Sequence, residues 1–364
     1  MNKKKIIICL GSTGGHIFPG IALADAIKQS SPDYEILFIN TLKSNEMLPK
    51  LNFNYKIIGI NIYGFVGKNI LEKIKSIFSL FICICKTLVI LKKFKPEIVI
   101  GSGGFVWLPV GISSFILNKK IYTIEGNSIP GLANKIISKL SKKIFINFES
   151  SLNYFEKSKC FNLGYPIREI EKKIESRKDI DILIIGGSQG SKTLNTRFLD
   201  QIEDLLNRLT KEKIKEFTII HQTGMEDFHR VKRIASQYEA KFNFLKYSPE
   251  IFLGNIGDYY SRARLLISRA GASTISETKN FDLINILVPI KNSTNNHQYH
   301  NALEMNEKGL AEIWQENDQN LVLTNKIFNL LSKKDKAREI LSNKKNQSND
   351  YSAKNIVKEI LKDG

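Results

Sequence analysis

The chain has 364 residues, 42% of them apolar and 25% charged, and a net charge of +18 at pH 7. That length is too great for one comfortable core, so two domains are expected, and the composition excludes a disordered, fibrous or membrane-spanning class. Four cysteines, Cys9, Cys83, Cys85 and Cys160, make no C-x-x-C pair, which excludes a disulfide scaffold and leaves reduced thiols as the expectation.

The opening Met1-Asn2-Lys3-Lys4-Lys5 imitates a signal peptide, but its apolar run stops at Gly11 with no small-residue cleavage site after it. It reads as a first strand, Lys5–Leu10. Further strands are expected at Glu35–Ile39, Tyr55–Ile60, Ile98–Ile100, Ile121–Thr123, Ile144–Phe148 and Cys160–Leu163. After a charged stretch from Arg168 to Asp179 a second series opens: Asp181–Ile185, Phe217–His221, Phe242–Lys246, Leu265–Ile267 and Asn285–Val288. Helical stretches separate most of these runs, and near-continuous Ile, Leu and Val within them argues for parallel sheets covered on both faces. The tail from about Leu331 is rich in Lys and Asn. It ends in an amphipathic run, Ile356, Ile360 and Leu361, for which a final helix and a disordered tail are both open.

The basic charge is uneven. Residues 1–166 hold 22 lysines and no arginine against 9 acidic residues, hence +13 of the +18. A lysine-rich genome composition explains a total of this kind but not the asymmetry, which points to an anionic partner: a membrane surface, a nucleic acid or a phosphorylated substrate. Within this half, residues 69–97 carry Lys86 as the one charge between Ser76 and Leu91, with Lys73, Lys75, Lys92, Lys93 and Lys95 around them. Sixteen residues with a central lysine are too few to span a bilayer. An amphipathic helix lying on an anionic membrane and an ordinary buried helix both fit.

Each series opens on a glycine turn between a strand and a helix, "CLGSTGGHIFPG" at 9–20 and "ILIIGGSQGSKTLN" at 182–195. Such turns bind phosphate through backbone N–H groups and the positive end of the helix. Neither matches G-x-G-x-x-G or a Walker lysine motif. His16 stands at the first helix start, which favours the neutral imidazole of a general base; a phosphate contact or a helix cap is the alternative. "SRAGASTISE" at 268–277 is a third such turn, with Ser273 or Thr274 expected to cap the next helix. Glu277 then closes the first helical turn, either as a bidentate acceptor for a ribose diol or as the partner in a capping box. "NNHQYHNA" at 295–302 sets amides where sugar hydroxyls could be read, and His297 and His300 lack an acidic or cysteine partner for a metal.

Taken together, "GSTGGHIFPGIALADAI", "GSGGFVWLP", "EGNSIPGLANKIISKLSKKIFINF", "GYPIRE", "IGGSQGSKTLN", "HQTG", "SRAGASTISE" and "NNHQYHNA" occur in the order and spacing of the MurG family. These are N-acetylglucosaminyltransferases that convert lipid I to lipid II in peptidoglycan synthesis, and the resemblance runs from about residue 5 to 303. It implies an α/β GT-B fold of two Rossmann-like domains facing across a cleft. Residues 1–166 would form the acceptor and membrane domain and 167–347 the UDP-N-acetylglucosamine (UDP-GlcNAc) domain, with a helix at about 348–364 packing back on the first. It also implies an inverting transfer of GlcNAc to the C4 hydroxyl of undecaprenyl-pyrophosphoryl-MurNAc-pentapeptide. No cofactor, metal or nucleic acid is expected, and the place is peripheral, at the cytoplasmic side of the inner membrane.

By motif, His16 matches the histidine proposed for catalysis, and Thr13, Gly14 and Gly15 the turn at the donor sugar. Asn127 matches the asparagine at the sugar, Arg168 the arginine after the linker proline and Ser188 the diphosphate serine. Leu253 stands where a backbone reads uracil. Ala272, Ser273, Thr274, Ile275, Ser276 and Glu277 match the nucleoside turn, and Gln298 the glutamine at the sugar hydroxyls. The chain departs from the pattern at Ser12, Asp282, Ile284, Asn295 and Asn296. It departs also at Gly126, where a glutamine is usual, and at Tyr165, where an asparagine precedes Pro166. Another GT-B lipid glycosyltransferase and a catalytically silent UDP-sugar-binding membrane protein are the rival readings.

Overall fold

The protein is described here by a computed structural model, which covers residues 4–11, 14–42, 55–62, 70–167, 170, 177–187, 189–291, 293–319, 321–332, 334–346 and 352–362. The chain divides into two compact units, residues 1–169 with 349–364, and residues 170–348.

In the first unit, β1 (Lys5–Cys9), β2 (Glu35–Thr41), β3 (Lys56–Ile60), β4 (Ile98–Gly101), β5 (Lys120–Glu125), β6 (Lys143–Ile146) and β7 (Cys160–Asn162) form a sheet in the order β3-β2-β1-β4-β5-β6-β7. Every pairing is parallel. Alternate side chains serve opposite faces. Ile7, Cys9, Leu37, Ile39, Val99 and Ile121 pack beneath α2 (Ile70–Phe94), α3 (Trp107–Ile116) and α4 (Leu132–Ile137). Ile8 faces α1 (Gly14–Ser30), where a Cβ on Gly20 would touch its Cγ2. The final helix α12 (Ser352–Leu361) packs on α1, its Glu359 bound to Lys143 at 2.7 Å.

α2 turns small polar residues inward beside its apolar contacts and leaves large apolar residues exposed among its lysines. Ser76, Cys83, Thr87 and Leu91 are buried, whereas Ile77, Phe78 and Phe81 are 61%, 65% and 64% exposed. The inward face can be small and polar because it is hydrogen-bonded. Thr87 Oγ1 donates to Cys83 O at 2.9 Å and lies 2.5 Å from Ser113 Oγ of α3, which in turn donates to Ile84 O at 3.1 Å. Among the described residues no helix is long and apolar enough to cross a membrane.

In the second unit, β8 (Ile180–Ile185), β9 (Phe217–Gln222), β10 (Leu245–Glu250), β11 (Ala263–Arg269), β12 (Ile284–Val288) and β13 (Glu312–Ile313) pair in parallel in the order β10-β9-β8-β11-β12-β13. One face packs against α5 (Lys192–Lys211), α6 (Phe228–Lys241), α10 (Val322–Ser332) and α11 (Lys334–Asn346), through Ile182, Ile184, Phe198, Ile202 and Ile327. The other face packs against α7 (Ile256–Arg262), through Leu183, Leu253, Ile256 and Tyr260. α8 (Ala272–Thr278) and α9 (His297–Glu307) complete the unit.

Two expectations shift. The strand expected at Phe242–Lys246 runs instead over Leu245–Glu250, with Phe242 capping α6. It includes Pro249 because β10 is an edge strand, where a missing N–H costs no ladder bond. The capping residue of α8 is Gly271, in extended backbone, and no side chain caps the helix. Ser273 and Thr274 therefore lie inside α8, and Glu277 falls in its second turn rather than closing the first.

Candidate active site

Both sheets reverse their winding at one point, between β1 and β4 in the first unit and between β8 and β11 in the second. In doubly wound sheets ligands bind beyond the carboxyl ends of the strands at that point. The glycine turns noted in the sequence leave β1 and β8, and the loops after β4 and β11 stand beside them. The switch points therefore hold Gly14, Gly15 and His16 after β1 in the first unit and Ala272 to Glu277 after β11 in the second.

In the first unit, α1 begins at Gly14, so Gly15 and His16 lie in its first turn. Ser102, just beyond β4, donates from Oγ to His16 O at 3.1 Å and to Cys9 O at 3.4 Å. This pins the helix start to both strands of the switch point. The His16 ring and Asn134 flank Gly103, whose Cβ would stand 3.3 Å from His16 Cε1 and 3.4 Å from Asn134 Nδ2.

Asn127 follows β5 and is held by Glu125. One carboxylate oxygen accepts from Asn127 N at 2.8 Å and Asn127 Nδ2 at 3.3 Å; the other accepts from Asn134 Nδ2 at 2.7 Å and Gly131 N at 3.3 Å. Burial raises the Glu125 carboxyl above its ordinary range, against these four bonds that favour the carboxylate. Glu125 and Asn134 escaped the sequence reading of single sites, although both lie in the quoted "EGNSIPGLANK". An acid at a strand end is indistinguishable from a surface charge until its donors are seen.

In the second unit the turn after β8 closes tightly on β9. A Cβ on Gly190, at φ 77°, would stand 2.1 Å from Thr223 O, so only glycine fits there. Ser191 caps α5, accepting from Leu194 N at 3.4 Å. Arg269, at the end of β11, donates to Ser191 Oγ and to Glu316, each at 2.6 Å. Arg269 thus braces Ser191 behind the start of α5, with its own charge paired to Glu316.

Gln222, the last residue of β9, links two loops. Its Nε2 donates to Gly187 O of the glycine turn at 2.7 Å, and its Oε1 accepts from Leu253 N at 3.4 Å. Leu253 itself is buried against Ile256, Tyr260 and Phe281. Glu277, on α8, accepts from Tyr260 Oη at 3.3 Å. Asn301 of α9 donates to Ala270 O at 3.2 Å, tying α9 to the entry of α8. Gln298 accepts from Ile290 N at 3.1 Å, and His297 Nδ1 lies 2.8 Å from Thr294 O in a local turn.

Beneath this turn lies a buried polar network. His221 bonds Tyr247 Oη at 2.8 Å and Asn195 Oδ1 at 2.9 Å, and Asn195 Nδ2 reaches Thr223 O and Asp227. Arg230 grips Asp227 with two bonds, 2.6 and 2.7 Å. Burial pushes the His221 imidazole down to about 3, with Asp227 opposing and Arg230 reinforcing the shift.

Of the residues singled out from the sequence, Gly14, Gly15, His16 and Asn127 gather in the first unit. Leu253, Ala272 to Glu277 and Gln298 gather in the second. Thr13, Arg168 and Ser188 lie outside the described residues. Gln222 and Arg269 were not singled out; the signals available were their places in "HQTG" and "SRAG", each at a strand end before a glycine.

Known proteins resemble the chain in both units. The glycosyltransferase family 28 N-terminal domain matches residues 6–146 and the family 28 C-terminal domain residues 181–360. A protein of Thermodesulfovibrio yellowstonii is 36% identical over 353 residues, spanning 92% of this chain and 92% of its own length. It is named UDP-N-acetylglucosamine–N-acetylmuramyl-(pentapeptide) pyrophosphoryl-undecaprenol N-acetylglucosamine transferase. A protein of the same name from Wigglesworthia glossinidia brevipalpis is 36% identical over 371 residues, 98% of this chain and 97% of its own. The crystal structure of Acinetobacter baumannii MurG superposes with a TM-score of 0.77 at 25% identity, over 99% of both chains.

Proposed function

The chain belongs to the family of UDP-N-acetylglucosamine–N-acetylmuramyl-(pentapeptide) pyrophosphoryl-undecaprenol N-acetylglucosamine transferases, and on that premise we propose how its residues carry the reaction. The protein transfers GlcNAc from UDP-GlcNAc to lipid I, giving lipid II for peptidoglycan. In our reading the C4 oxygen of the muramoyl sugar attacks C1 of GlcNAc from the face opposite UDP. The C1–O bond to the β-phosphate breaks, its electron pair leaves with UDP, and the configuration at C1 inverts. His16 takes the C4 proton, its neutral form favoured by the start of α1.

The leaving diphosphate sits on the turn after β8. Backbone N–H groups, the start of α5 and Ser188 stabilise the charge that develops there, and Arg269 holds Ser191 in place behind them. Glu277 accepts the ribose diol, Leu253 lends its backbone to uracil, and Arg168, Asn127 and Gln298 orient the sugar together with Thr13, Gly14 and Gly15. The observation that carries this assignment is the second unit's switch point, where a glycine turn and a capped helix start follow β8 and an acid-bearing helix follows the neighbouring β11.

The same reading places the protein peripherally on the anionic cytoplasmic face of the inner membrane. The polyprenyl tail of the acceptor stays in the bilayer, so the enzyme must come to it. The outward side chains of α2, with exposed Phe115 and Ile116 of α3 and Leu132 and Ile136 of α4, offer apolar insertion from one helical layer. Lys75, Lys86, Lys92 and Lys93 are exposed on the same helix and supply electrostatic attraction.

The test is turnover with labelled UDP-GlcNAc and lipid I. The native protein forms the disaccharide lipid and leaves diacylglycerol unglycosylated; glycosylated diacylglycerol instead would assign it to another lipid glycosyltransferase. His16→Ala should lower turnover by about 100-fold or more with donor affinity nearly unchanged. Near-native turnover, or equal losses of both, would reduce His16 to a phosphate or helix-cap contact.

A further inference from the structure

α1 contains Pro19. Proline has no N–H, so the carbonyl four residues before it, Gly15 O, has no donor at the usual helical spacing. That carbonyl belongs to the peptide plane leading into His16. The Tyr165 hydroxyl takes the place of the missing N–H and donates to Gly15 O at 2.6 Å.

The phenol reaches this point because Gly126 leaves room for it. A Cβ on Gly126 would stand 2.6 Å from both Cε2 and Cζ of the Tyr165 ring, and that ring is buried at 3% exposure. The Tyr165 backbone is fixed as well: its carbonyl accepts from Ser352 Oγ at 2.7 Å, where α12 begins. Burial, with Glu125 nearby, holds the phenol far above its ordinary range, so the hydroxyl remains a donor at every working pH. The two departures from the family's sequence pattern, Gly126 for glutamine and Tyr165 for asparagine, are thus one event in space.

We propose that Tyr165 is a positioning residue for the first glycine turn, and that Tyr165 and Gly126 form one exchangeable pair in which the absent side chain at 126 is the space filled by the ring. Tyr165 acts through the Gly15 carbonyl on the peptide that carries His16; this rests on the reading of His16 as the base.

The experiment compares the native protein with Tyr165→Phe, Tyr165→Asn, Gly126→Gln and the double variant Gly126→Gln/Tyr165→Asn. For each, kcat and KM for UDP-GlcNAc are measured with lipid I, together with UDP affinity by calorimetry. Tyr165→Phe keeps the ring and loses only the hydroxyl. It should lower kcat about fivefold, the effect of one neutral hydrogen bond, with KM and UDP affinity within about twofold of native. Gly126→Gln should lower kcat about tenfold or more, and adding Tyr165→Asn should recover most of that loss. If Gly126→Gln fails to fold, recovery of soluble, active protein on adding Tyr165→Asn is the same result. A native kcat in Tyr165→Phe, or kcat and UDP affinity falling together, overturns the positioning role. A double variant no better than Gly126→Gln overturns the pairing. Failure of the parent reading looks different: His16→Ala then keeps near-native turnover, whereas failure of this proposal leaves His16→Ala impaired.

Discussion

Glu277 and His221 show how differently two polar residues of one unit serve it. Glu277 is half-buried, with Tyr260 as a partner at one carboxylate oxygen. As the ribose acceptor it should cost about 1–3 kcal/mol of UDP-GlcNAc affinity when replaced by Ala, the range for leaving polar partners unpaired. Calorimetric titration with unchanged affinity would remove it from the site. His221 touches no substrate in this account and works by being neutral. The unfolded chain takes up a proton near pH 6.5, whereas the folded imidazole resists protonation down to about 3. The unfolded state then binds more protons between these values, so stability rises with pH across that window and falls on acidification. The slope from this residue is at most about 1.4 kcal/mol per pH unit. Urea unfolding of Trp107→Phe, read from Trp314, isolates the second unit, because each unit contains one of the two tryptophans. A midpoint flat from pH 7 to 5 would show that His221 titrates normally. His16 and Glu277 were legible as candidates because each stands in a turn whose local pattern singles it out, and Asn127 was legible only through the family resemblance. Glu125, Gln222, Arg269 and Tyr165 were not, because each acts through partners between 2 and 150 positions away in the chain.

At the scale of elements, alternation of apolar strands with helices was enough to find every strand among the described residues except β13, a two-residue edge too short for any pattern to mark. Pro249 hid the true extent of β10, since a proline reads as a breaker until the strand is known to lie at an edge. α2 is the opposite case: its sequence suits a buried helix and a surface helix equally. The decision comes from tertiary hydrogen bonds that let Ser76, Cys83 and Thr87 turn inward while Phe78 and Phe81 turn out. Vesicle co-sedimentation tests the consequence. The native protein should bind anionic vesicles at low salt and keep a salt-resistant fraction, since charge is screened and insertion is not. Phe78→Ser/Phe81→Ser should lose that fraction with little loss of folding stability. A variant that sediments as the native protein does would reject the membrane role of this helix face.

For the whole molecule, one sheet order recurs in two units, each with one switch point and one glycine turn, and in our proposal one turn serves the diphosphate of the donor and the other that of the acceptor. The two-unit plan was visible in the restart of the strand series at Asp181. The charge asymmetry fits the same division of labour, with +13 of +18 in residues 1–166, the part that our account brings to an anionic surface. The most direct test is the linkage formed by the native protein from UDP-GlcNAc and purified lipid I, read by nuclear magnetic resonance of the released disaccharide. In-line displacement predicts a single product in which GlcNAc is β-linked to the C4 oxygen of the muramoyl sugar. An α-linkage, attachment at another hydroxyl, or release of free GlcNAc with no lipid product would contradict it.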